Sequence, residues 1–408
     1  MEADRITHLL IGGMRCIDEI KLDLGAFTVL IGENGAGKST IVEALELLRK
    51  VATESPFVEK LYQPHAGTRL VRSGAMGLRL GARIDGAGPP LMYMIEVLRD
   101  GSYLSIHTEK VIAVHGGRRM LRTGGMFSCF GPDGQPIQDE SAAHPGEGVL
   151  PNARFLKSPE VERVQRALAT IEVHVPLDLR CSWAVPQAGS TARSSNMARP
   201  AERLDPHGTN LVNVYAKLRN QPNWRETLGR IRLVLGDVDD ILIQPDPSGG
   251  TLGLEVRWGH DLEVPLSELS DGQVSVLALI AIQQLRRRVP PSLIVVDEPE
   301  AHLHPGVIRR VAVGLAETGD EWPVLVATQS DAFLDAVSDR PDALVHCRLD
   351  SQRKTELARL DRAQVQGCLD DLRRICRPAV DEIRLAPGLR LPDTGAASRG
   401  VNAEIVNT

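Results

Sequence analysis

Residues 32–39 read GENGAGKS, and this short motif restricts the possible fold more than any other part of the sequence. It matches the phosphate-binding pattern G-x-x-x-x-G-K-[ST], which requires a strand before it and a helix after it. Both are indicated. FTVLI at 27–31 is continuously apolar, as a strand buried on both faces is, and the apolar residues of 41–48 recur at helical spacing. A glycine-rich turn that merely includes a lysine would not account for this context.

Each residue type in the motif has a physical role in holding a nucleoside triphosphate. The glycines let the backbone turn its N–H groups towards the phosphates. Lys38 is expected to reach the β- and γ-phosphates, and the Ser39 hydroxyl is expected to ligate Mg²⁺. The predicted nucleotide-binding residues are Gly32, Asn34, Gly35, Ala36, Gly37, Lys38, Ser39 and Thr40.

A second apolar run, at 293–296, ends in two carboxylates within the sequence SLIVVDEPEAHLHP. On a parallel strand beside the phosphate loop, Asp297 would reach the metal ion, and Glu298 would orient and deprotonate the attacking water. The alternative is an acidic pair at a solvated strand end. His302 and His304 form an H-x-H pair that could supply two metal ligands; a position at the nucleotide interface and simple packing are the alternatives.

The sequence VLVATQSDAF at 324–333 predicts another buried strand, which ends in polar residues. Gln329 could contact both the γ-phosphate and the attacking water through its amide, but it cannot take up a proton. Capping of the next helix by Ser330 or Asp331 is a second role for this strand end, and the two roles are compatible.

The sequence LSDGQVSVLALIAI at 269–282 predicts a capped helix with a second anion-holding turn. Ser270 can cap a helix that begins near Gly272, whose free N–H groups would then face an anion. The three arginines at 286–288 would complement the helix dipole before Pro290 ends the helix. The residues expected to pack on one side of this helix are Val274, Leu277, Ala278, Ala281 and Leu285. The alternative is an ordinary capped helix.

Composition excludes several classes of protein. The formal net charge of −6 argues against a generally cationic nucleic-acid binder, and the 3% aromatic content argues against base stacking as the main binding mode. None of the six cysteines forms a C-x-x-C pair, and we find no signal-peptide pattern and no apolar run long enough to span a bilayer. We therefore expect a cytoplasmic protein with no membrane association.

Alternating strands and helices predict an α/β fold with a mostly parallel sheet, and residues 76–115 predict an antiparallel set beside it. The region at 116–204 is rich in Gly, Pro, Ser and Arg and is expected to be a loop-rich insertion with one helix, at 159–171. The expected division is an N-terminal ATPase half at 1–115, the insertion at 116–204, a helical lobe and C-terminal ATPase half at 205–385, and a disordered tail at 386–408.

Taken together, these motifs resemble those of the ATP-binding-cassette (ABC) ATPases of the SMC/RecF/OLD-like branch, also grouped as AAA family ATPases. LIGENGAGKST is similar to the Walker A motif of that family, LIVVDEPEAHLHP to its Walker B motif with the D-loop that follows, and LSDGQ to its signature motif. The resemblance extends over roughly 5–110 and 205–345. It implies a P-loop NTPase fold of the ABC/SMC type, with ATP and Mg²⁺ as cofactors.

The resemblance also implies where each motif acts. In this family the signature turn caps the nucleotide of a second subunit, so Ser270, Asp271, Gly272 and Gln273 would act in trans. His302 and His304 fall in the D-loop. Gln329 stands where a histidine is usual, which leaves the hydrolysis rate open, and Asp271 replaces the usual glycine. Gln63 is a candidate for the Q-loop glutamine that contacts the metal, with a plain surface glutamine as the alternative.

The function implied is an ATPase that works as a nucleotide-driven dimerisation switch in anti-phage defence or DNA repair. Its expected partners are a second copy of the chain, or a larger oligomer, and a separately encoded nuclease or toxin. The alternatives are a non-hydrolysing nucleotide sensor and the ATP-binding subunit of a transporter. Binding of DNA or RNA would need basic strips, for which Arg69, Arg72, Arg79 and Arg83, and Arg118, Arg119 and Arg122, are candidates, with scattered solvated arginines as the alternative.

Overall fold

The computed structural model describes residues 3–65, 67–180, 190–245, 250–259 and 262–360. The tail expected at 386–408 lies outside these residues, as does the end of the expected C-terminal ATPase half, 361–385.

The strands, numbered along the chain, are β1 (Arg5–Met14), β2 (Ile17–Asp23), β3 (Phe27–Ile31), β4 (Gly77–Gly86), β5 (Gly88–Asp100), β6 (Tyr103–Ala113), β7 (Gly117–Thr123), β8 (Met126–Phe130), β9 (Pro136–Ala142), β10 (Ile171–His174), β11 (Asn196–Met197), β12 (Val238–Pro245), β13 (Thr251–Trp258), β14 (Leu262–Pro265), β15 (Leu293–Asp297), β16 (Val324–Thr328), β17 (Leu344–Leu349) and β18 (Thr355–Arg359). The helices are α1 (Lys38–Thr53), α2 (Phe57–His65), α3 (Pro159–Ala169), α4 (Leu211–Arg219), α5 (Trp224–Leu235), α6 (Asp271–Gln284), α7 (Pro305–Glu321) and α8 (Asp331–Ala336).

The core is a six-stranded sheet in the order β10-β15-β16-β3-β17-β18, parallel except for its last pair. Strands β3, β15 and β16 are buried along their whole length, as their continuously apolar sequences predict. β16 lies between β3 and β15, with Thr328 opposite Ile31 and Ala327 opposite Asp297. The ends of these three strands therefore meet at one edge of the sheet.

Each face of the core sheet is covered by a different layer. One apolar cluster joins the sheet to α1, α3 and the antiparallel sheet, and another joins it to α4–α7. The antiparallel sheet has eight strands in the order β2-β1-β4-β5-β6-β7-β8-β9. This arrangement of a parallel core, an antiparallel lobe and a helical lobe that carries α6 agrees with the predicted fold class.

The expectation of a loop-rich insertion with one helix at 116–204 needs correction. Helix α3 is present, but β7, β8 and β9 extend the antiparallel sheet, and β10 is an edge strand of the parallel core. Met120 and Cys129 are fully buried on these added strands, and so is Arg122, which donates to the backbone carbonyls of Gly124 and His144. A buried arginine among glycines hides the apolar alternation that a strand usually shows in sequence.

Helix α6 also differs from its prediction in two respects. It is buried on nearly all sides rather than along one stripe, since Val276, Leu279 and Ile280 are buried as well as the predicted residues. It ends at Gln284, so the three arginines at 286–288 lie beyond its last residue, but Arg287 Nη2 still donates to the carbonyl oxygen of Ile282 in the last turn, at 3.0 Å.

The same arginine also forms a buried ion pair. The Arg287 guanidinium donates to both carboxylate oxygens of Glu172, at 2.7–2.9 Å, and so ties the segment after α6 to β10. Burial opposes ionisation of Glu172, but Arg287 and His174 outweigh it and lower the pKa of this carboxyl to about 2. The pair is therefore fully charged at neutral pH.

We predict that Arg287→Met destabilises the protein by about 3–5 kcal/mol at pH 7.5, because it leaves a buried carboxylate without its partner. The pKa of Glu172 is depressed by folding, so the stability from this pair is present above pH 4.5 and is lost as the pH falls towards 2. Urea unfolding should therefore show a smaller difference from wild type at pH 4 than at pH 7.5. Arg286→Met, at an exposed neighbour, is the matched control, and an equal effect of both substitutions would contradict the prediction.

Candidate nucleotide-binding site

Two glycines of the phosphate loop occupy positions where a side chain would collide with the core sheet. Gly32 has a φ of 156°, and a Cβ there would lie 2.0 Å from the carbonyl oxygen of Cys347 on β17. Gly37 has a φ of 107°, and a Cβ there would lie 2.4 Å from Oγ1 of Thr355 on β18. The loop can pack this closely against the sheet only with glycine at both positions.

The N-terminus of α1 is left open towards this loop. Its N-cap residue is Gly37, which has no side chain to cap the helix, so the first N–H groups are available to an anion. The buried Lys38 donates from Nζ to the carbonyl oxygens of Gly32 at 2.6 Å and Glu33 at 3.0 Å. Burial lowers the pKa of Lys38, and nearby acidic groups only partly oppose this. A bound phosphate would supply the missing counter-charge.

Asp297, at the end of β15, faces the phosphate loop. It is buried, its carboxylate is a hydrogen-bond partner of Ser39, and its Oδ1 has no hydrogen-bond partner among the residues that the structure describes. Burial and the neighbouring Glu298 raise the pKa of Asp297 to about 6. A hydroxyl and a carboxylate with a free oxygen are the hard ligands that Mg²⁺ prefers, so these residues fit the predicted metal ion.

The predicted general base, Glu298, has a left-handed backbone with a φ of 48°, which is uncommon for a residue other than glycine. Its N–H donates to the carbonyl oxygen of Ala327 on β16, at 2.8 Å, and this bond holds the turn. Glu298 also contributes to the electrostatic environment of Lys38 and Asp297. The structure thus brings the predicted lysine, serine and both carboxylates together at one sheet edge.

Glu300 belongs to the same group, although the sequence analysis did not select it. Its Oε1 accepts hydrogen bonds from Thr328 Oγ1 at 2.7 Å and from the Gln329 N–H at 2.9 Å. Within the described part of the chain, its Oε2 is buried without a hydrogen-bond partner, and burial raises the pKa of Glu300. The second glutamate of D-E-P-E was the available signal, but only the structure shows that it holds the end of β16.

Gln329 follows β16 directly, in the position expected for a γ-phosphate sensor between the Walker A and Walker B strands. Its backbone is held by Glu300. Ser330 caps α8 by accepting from the Phe333 N–H, as the sequence analysis allowed. The capping role of Ser330 is therefore confirmed, while the sensor role of Gln329 stays a prediction.

The signature turn forms the N-terminus of α6 and has a complete capping box. Ser270 Oγ accepts from the Gln273 N–H at 3.3 Å, and Gln273 Oε1 accepts from the Ser270 N–H at 2.8 Å. Ser270 and Asp271 are exposed. Gly272 packs against the D-loop, because a Cβ at this residue would lie 2.9 Å from the carbonyl oxygen of His302. The turn is therefore rigid, exposed and next to the D-loop.

The two D-loop histidines have different surroundings. His304 caps α7 by accepting from the Gly306 N–H through Nδ1, at 3.2 Å. His302 is half exposed, has a φ of 65°, and places Nδ1 3.8 Å from a carboxylate oxygen of Asp271. No group of three metal-ligating side chains occurs within the described residues, so the metal-site interpretation of this pair gains no support there.

The side chain of Gln63, on α2, lies outside the described residues, so its Q-loop role stays a prediction. Of the arginines proposed for basic strips, Arg69 and Arg118 are exposed, and binding of DNA or RNA stays a prediction. Arg79 and Arg83 pair with Glu96 and Asp85, and Arg119 and Arg122 are buried. Arg72 also faces an acidic residue, with its Nε 4.0 Å from Oδ1 of Asp18.

Every helix in the described part of the chain is too short or too polar to cross a membrane.

Comparison with known proteins gives two family matches in separate parts of the chain. Residues 5–69 match the family described as "AAA ATPase domain", and residues 198–335 match the one described as "AAA domain, putative AbiEii toxin, Type IV TA system". A stretch of 43 residues is 42% identical to the OLD nuclease of Thermus scotoductus. That stretch is 10% of this chain and 8% of the nuclease.

The fold as a whole is similar to that of SMC heads. An SMC head bound to the C-winged helix domain of ScpA has a TM-score of 0.53 at 14% identity, over 89% of this chain and 99% of that one. An SMC head with an extended coiled coil, bound to the C-terminal domain of ScpA derived from Pyrococcus furiosus, has a TM-score of 0.52 at 13% identity, over 91% and 100%. At this identity the similarity shows the fold, and it confirms the predicted P-loop NTPase class.

We predict that Asp297→Asn stabilises the nucleotide-free protein by about 2–3 kcal/mol at pH 7.5, since one pKa unit corresponds to about 1.4 kcal/mol. The pKa of Asp297 rises from 3.8 to about 6 on folding, so its charge destabilises the folded state above pH 6. This cost disappears as the pH falls below 3.8. Urea unfolding from pH 7.5 to 4.5 should show the advantage of the variant shrinking. The exposed Asp339→Asn is the control, and a variant no more stable than wild type at pH 7.5 would rule out the predicted cost.

Proposed function

We propose that this chain, an ABC-type ATPase of the SMC/OLD-like branch, binds MgATP, dimerises around it and separates after hydrolysis. The observation that carries the proposal is the convergence of Lys38, Ser39, Asp297 and Glu298 at the edge of the core sheet. The open N-terminus of α1 supports phosphate binding at this edge. The fold shared with SMC heads is consistent with it.

The chemistry can be assigned to particular atoms. The N–H groups of the phosphate loop and Lys38 Nζ would hold the β- and γ-phosphates, and Ser39 and Asp297 would hold the Mg²⁺ ion that neutralises them. Glu298 would accept the proton of the attacking water. The Gln329 amide could orient this water but not deprotonate it, so proton transfer would depend on Glu298.

Dimerisation is supported by the position of the signature turn. Its exposed residues, Ser270 and Asp271, lie beside the D-loop, and the D-loop follows the catalytic carboxylates directly. A second copy that meets this surface would receive the N-terminus of α6 as the cap of its own nucleotide. The two nucleotides would then be shared between the subunits.

A role in defence or repair, with a separately encoded effector, is the broader part of the proposal. It rests on the toxin-related description of one matched family and on the short match to an OLD nuclease. The SMC heads bound to ScpA make a protein partner for this chain a reasonable expectation.

Gln329 favours a second candidate function, that of a nucleotide sensor that binds ATP without turning it over. Both candidates need the same phosphate loop and the same dimer, and they differ only at the hydrolysis step. Steady-state phosphate release by wild type and by Glu298→Gln separates them, because equal rates would favour the sensor.

We predict that Glu298→Gln lowers phosphate release by on the order of 10²–10⁴-fold, since it removes the general base. The ATP-bound dimer should accumulate, because the step that releases it is blocked. Mass photometry with MgATP would measure this. Lys38→Ala is the control and should stay monomeric. A Glu298→Gln protein that remains monomeric in saturating MgATP would refute the dimer proposal.

We predict that Glu300→Ala lowers kcat by on the order of 10–100-fold with little change in ATP affinity, because it releases Thr328 and Gln329 without touching the phosphate loop. Glu300→Gln is the matched control, since its amide oxygen can accept the same two hydrogen bonds and should retain most activity. Comparable losses in both variants would contradict this positioning role. So would a fall in ATP affinity as large as the fall in kcat.

A further inference from the structure

Arg193 is an almost completely buried arginine whose guanidinium is enclosed by the signature turn. Its side chain is 5% exposed. Nη1 donates to the carbonyl oxygen of Leu269 at 2.5 Å, with the carbonyls of Leu266 and Ser267 at 3.4–3.5 Å. Nε donates to the carbonyl oxygen of Leu179 at 3.0 Å. The backbone that leads into α6 is therefore wrapped around this one cation.

The remaining nitrogen of the guanidinium reaches the first residue of α6. Nη2 lies 2.5 Å from Oδ1 of Asp271, whose side chain is 49% exposed. The other oxygen of this carboxylate lies 3.8 Å from His302 on the D-loop. The buried Arg193 is thus the ion-pair partner of the half-exposed Asp271.

The ion pair with Arg193 balances the negative charge that Asp271 places at the N-terminus of α6. A carboxylate in the first turn of a helix is favourable for the helix dipole, but it would repel a polyphosphate brought to the same N-terminus. Arginine balances that charge with a rigid fork that lysine lacks. The same fork fixes the carbonyl of Leu269 in the turn, so the N–H group at Gly272 keeps one direction.

We propose that Arg193 is a positioning residue for the signature turn: it neutralises Asp271 and orients the turn so that it can accept the phosphates bound by a second copy of the chain. This inference rests on the proposed nucleotide-driven dimer. Arg193 itself belongs to the segment before β11 and has no contact with the phosphate loop of its own chain among the hydrogen bonds and ion pairs described.

The test uses the full chain with Glu298→Gln, so that hydrolysis does not remove the dimer. The variants are Arg193→Ala, Asp271→Asn and the double variant, and two quantities are measured for each. Binding of a fluorescent ATP analogue to the dilute monomer reports the chain's own phosphate loop. The dimer dissociation constant in MgATP, from mass photometry or sedimentation velocity, reports the signature turn.

Arg193→Ala should leave nucleotide binding by the monomer within about twofold and weaken the dimer by at least about tenfold, because the unbalanced charge of Asp271 would then lie beside the phosphates of the second copy. Adding Asp271→Asn should recover most of this loss, because the unbalanced charge is removed. A general packing defect would not be repaired by removing one exposed carboxylate, so the rescue distinguishes positioning from structural support.

Arg193→Lys covers the case in which the alanine variant does not fold. It keeps the charge but not the fork, and the dimer should weaken by less than with alanine. Dimerisation of all Arg193 variants like the parent would overturn the inference, and so would an Arg193 defect that Asp271→Asn does not relieve. In both cases the parent still dimerises, so the proposed function stands. A parent that does not dimerise refutes the proposed function itself.

Discussion

The site depends on three strands that are buried on both faces and end at the same edge. β15, β16 and β3 lie side by side, with Asp297 opposite Ala327 and Thr328 opposite Ile31. Because the strands are parallel, their carboxyl ends lie together, and each ends in a residue of different chemistry. A carboxylate, a hydroxyl and the phosphate loop are thus brought within reach of one ligand by the pairing of apolar strands alone.

This arrangement buries charged groups, which is electrostatically unfavourable in the absence of a ligand. Among the described residues, the hydrogen-bond acceptors of the buried Lys38 are backbone carbonyls, and Asp297 and Glu300 each hold a buried carboxylate oxygen without a hydrogen-bond partner there. Burial lowers the pKa of the lysine and raises those of the two acids, so each group is biased away from its charged form. A magnesium–polyphosphate complex carries the charges that would relieve all of these biases together. This electrostatic fit agrees with the ligand that the motif predicts.

Sequence patterns predicted the elements that have simple periodicity. The continuously apolar strands β3, β15 and β16, the helices around them and the cap at Ser270 could be read directly from residue type and spacing. Strand β7 was missed because Arg122 occupies a fully buried position that an apolar residue usually fills. The roles of Arg287, Glu300 and Arg193 could not be predicted, since each depends on a contact across 28 to 115 residues of chain. Local patterns contain no information about such partners.

The D-loop contacts both the end of β16 and the start of α6. Within a few residues, Glu300 holds the end of β16, and the backbone of His302 packs against Gly272 at the start of α6. The loop also has two left-handed residues, Glu298 and His302, which restrict how it can move. Contacts at the two ends of the loop thus link the end of β16 to the signature turn. If the turn caps the nucleotide of a second copy, each chain would couple its own hydrolysis to its hold on its neighbour.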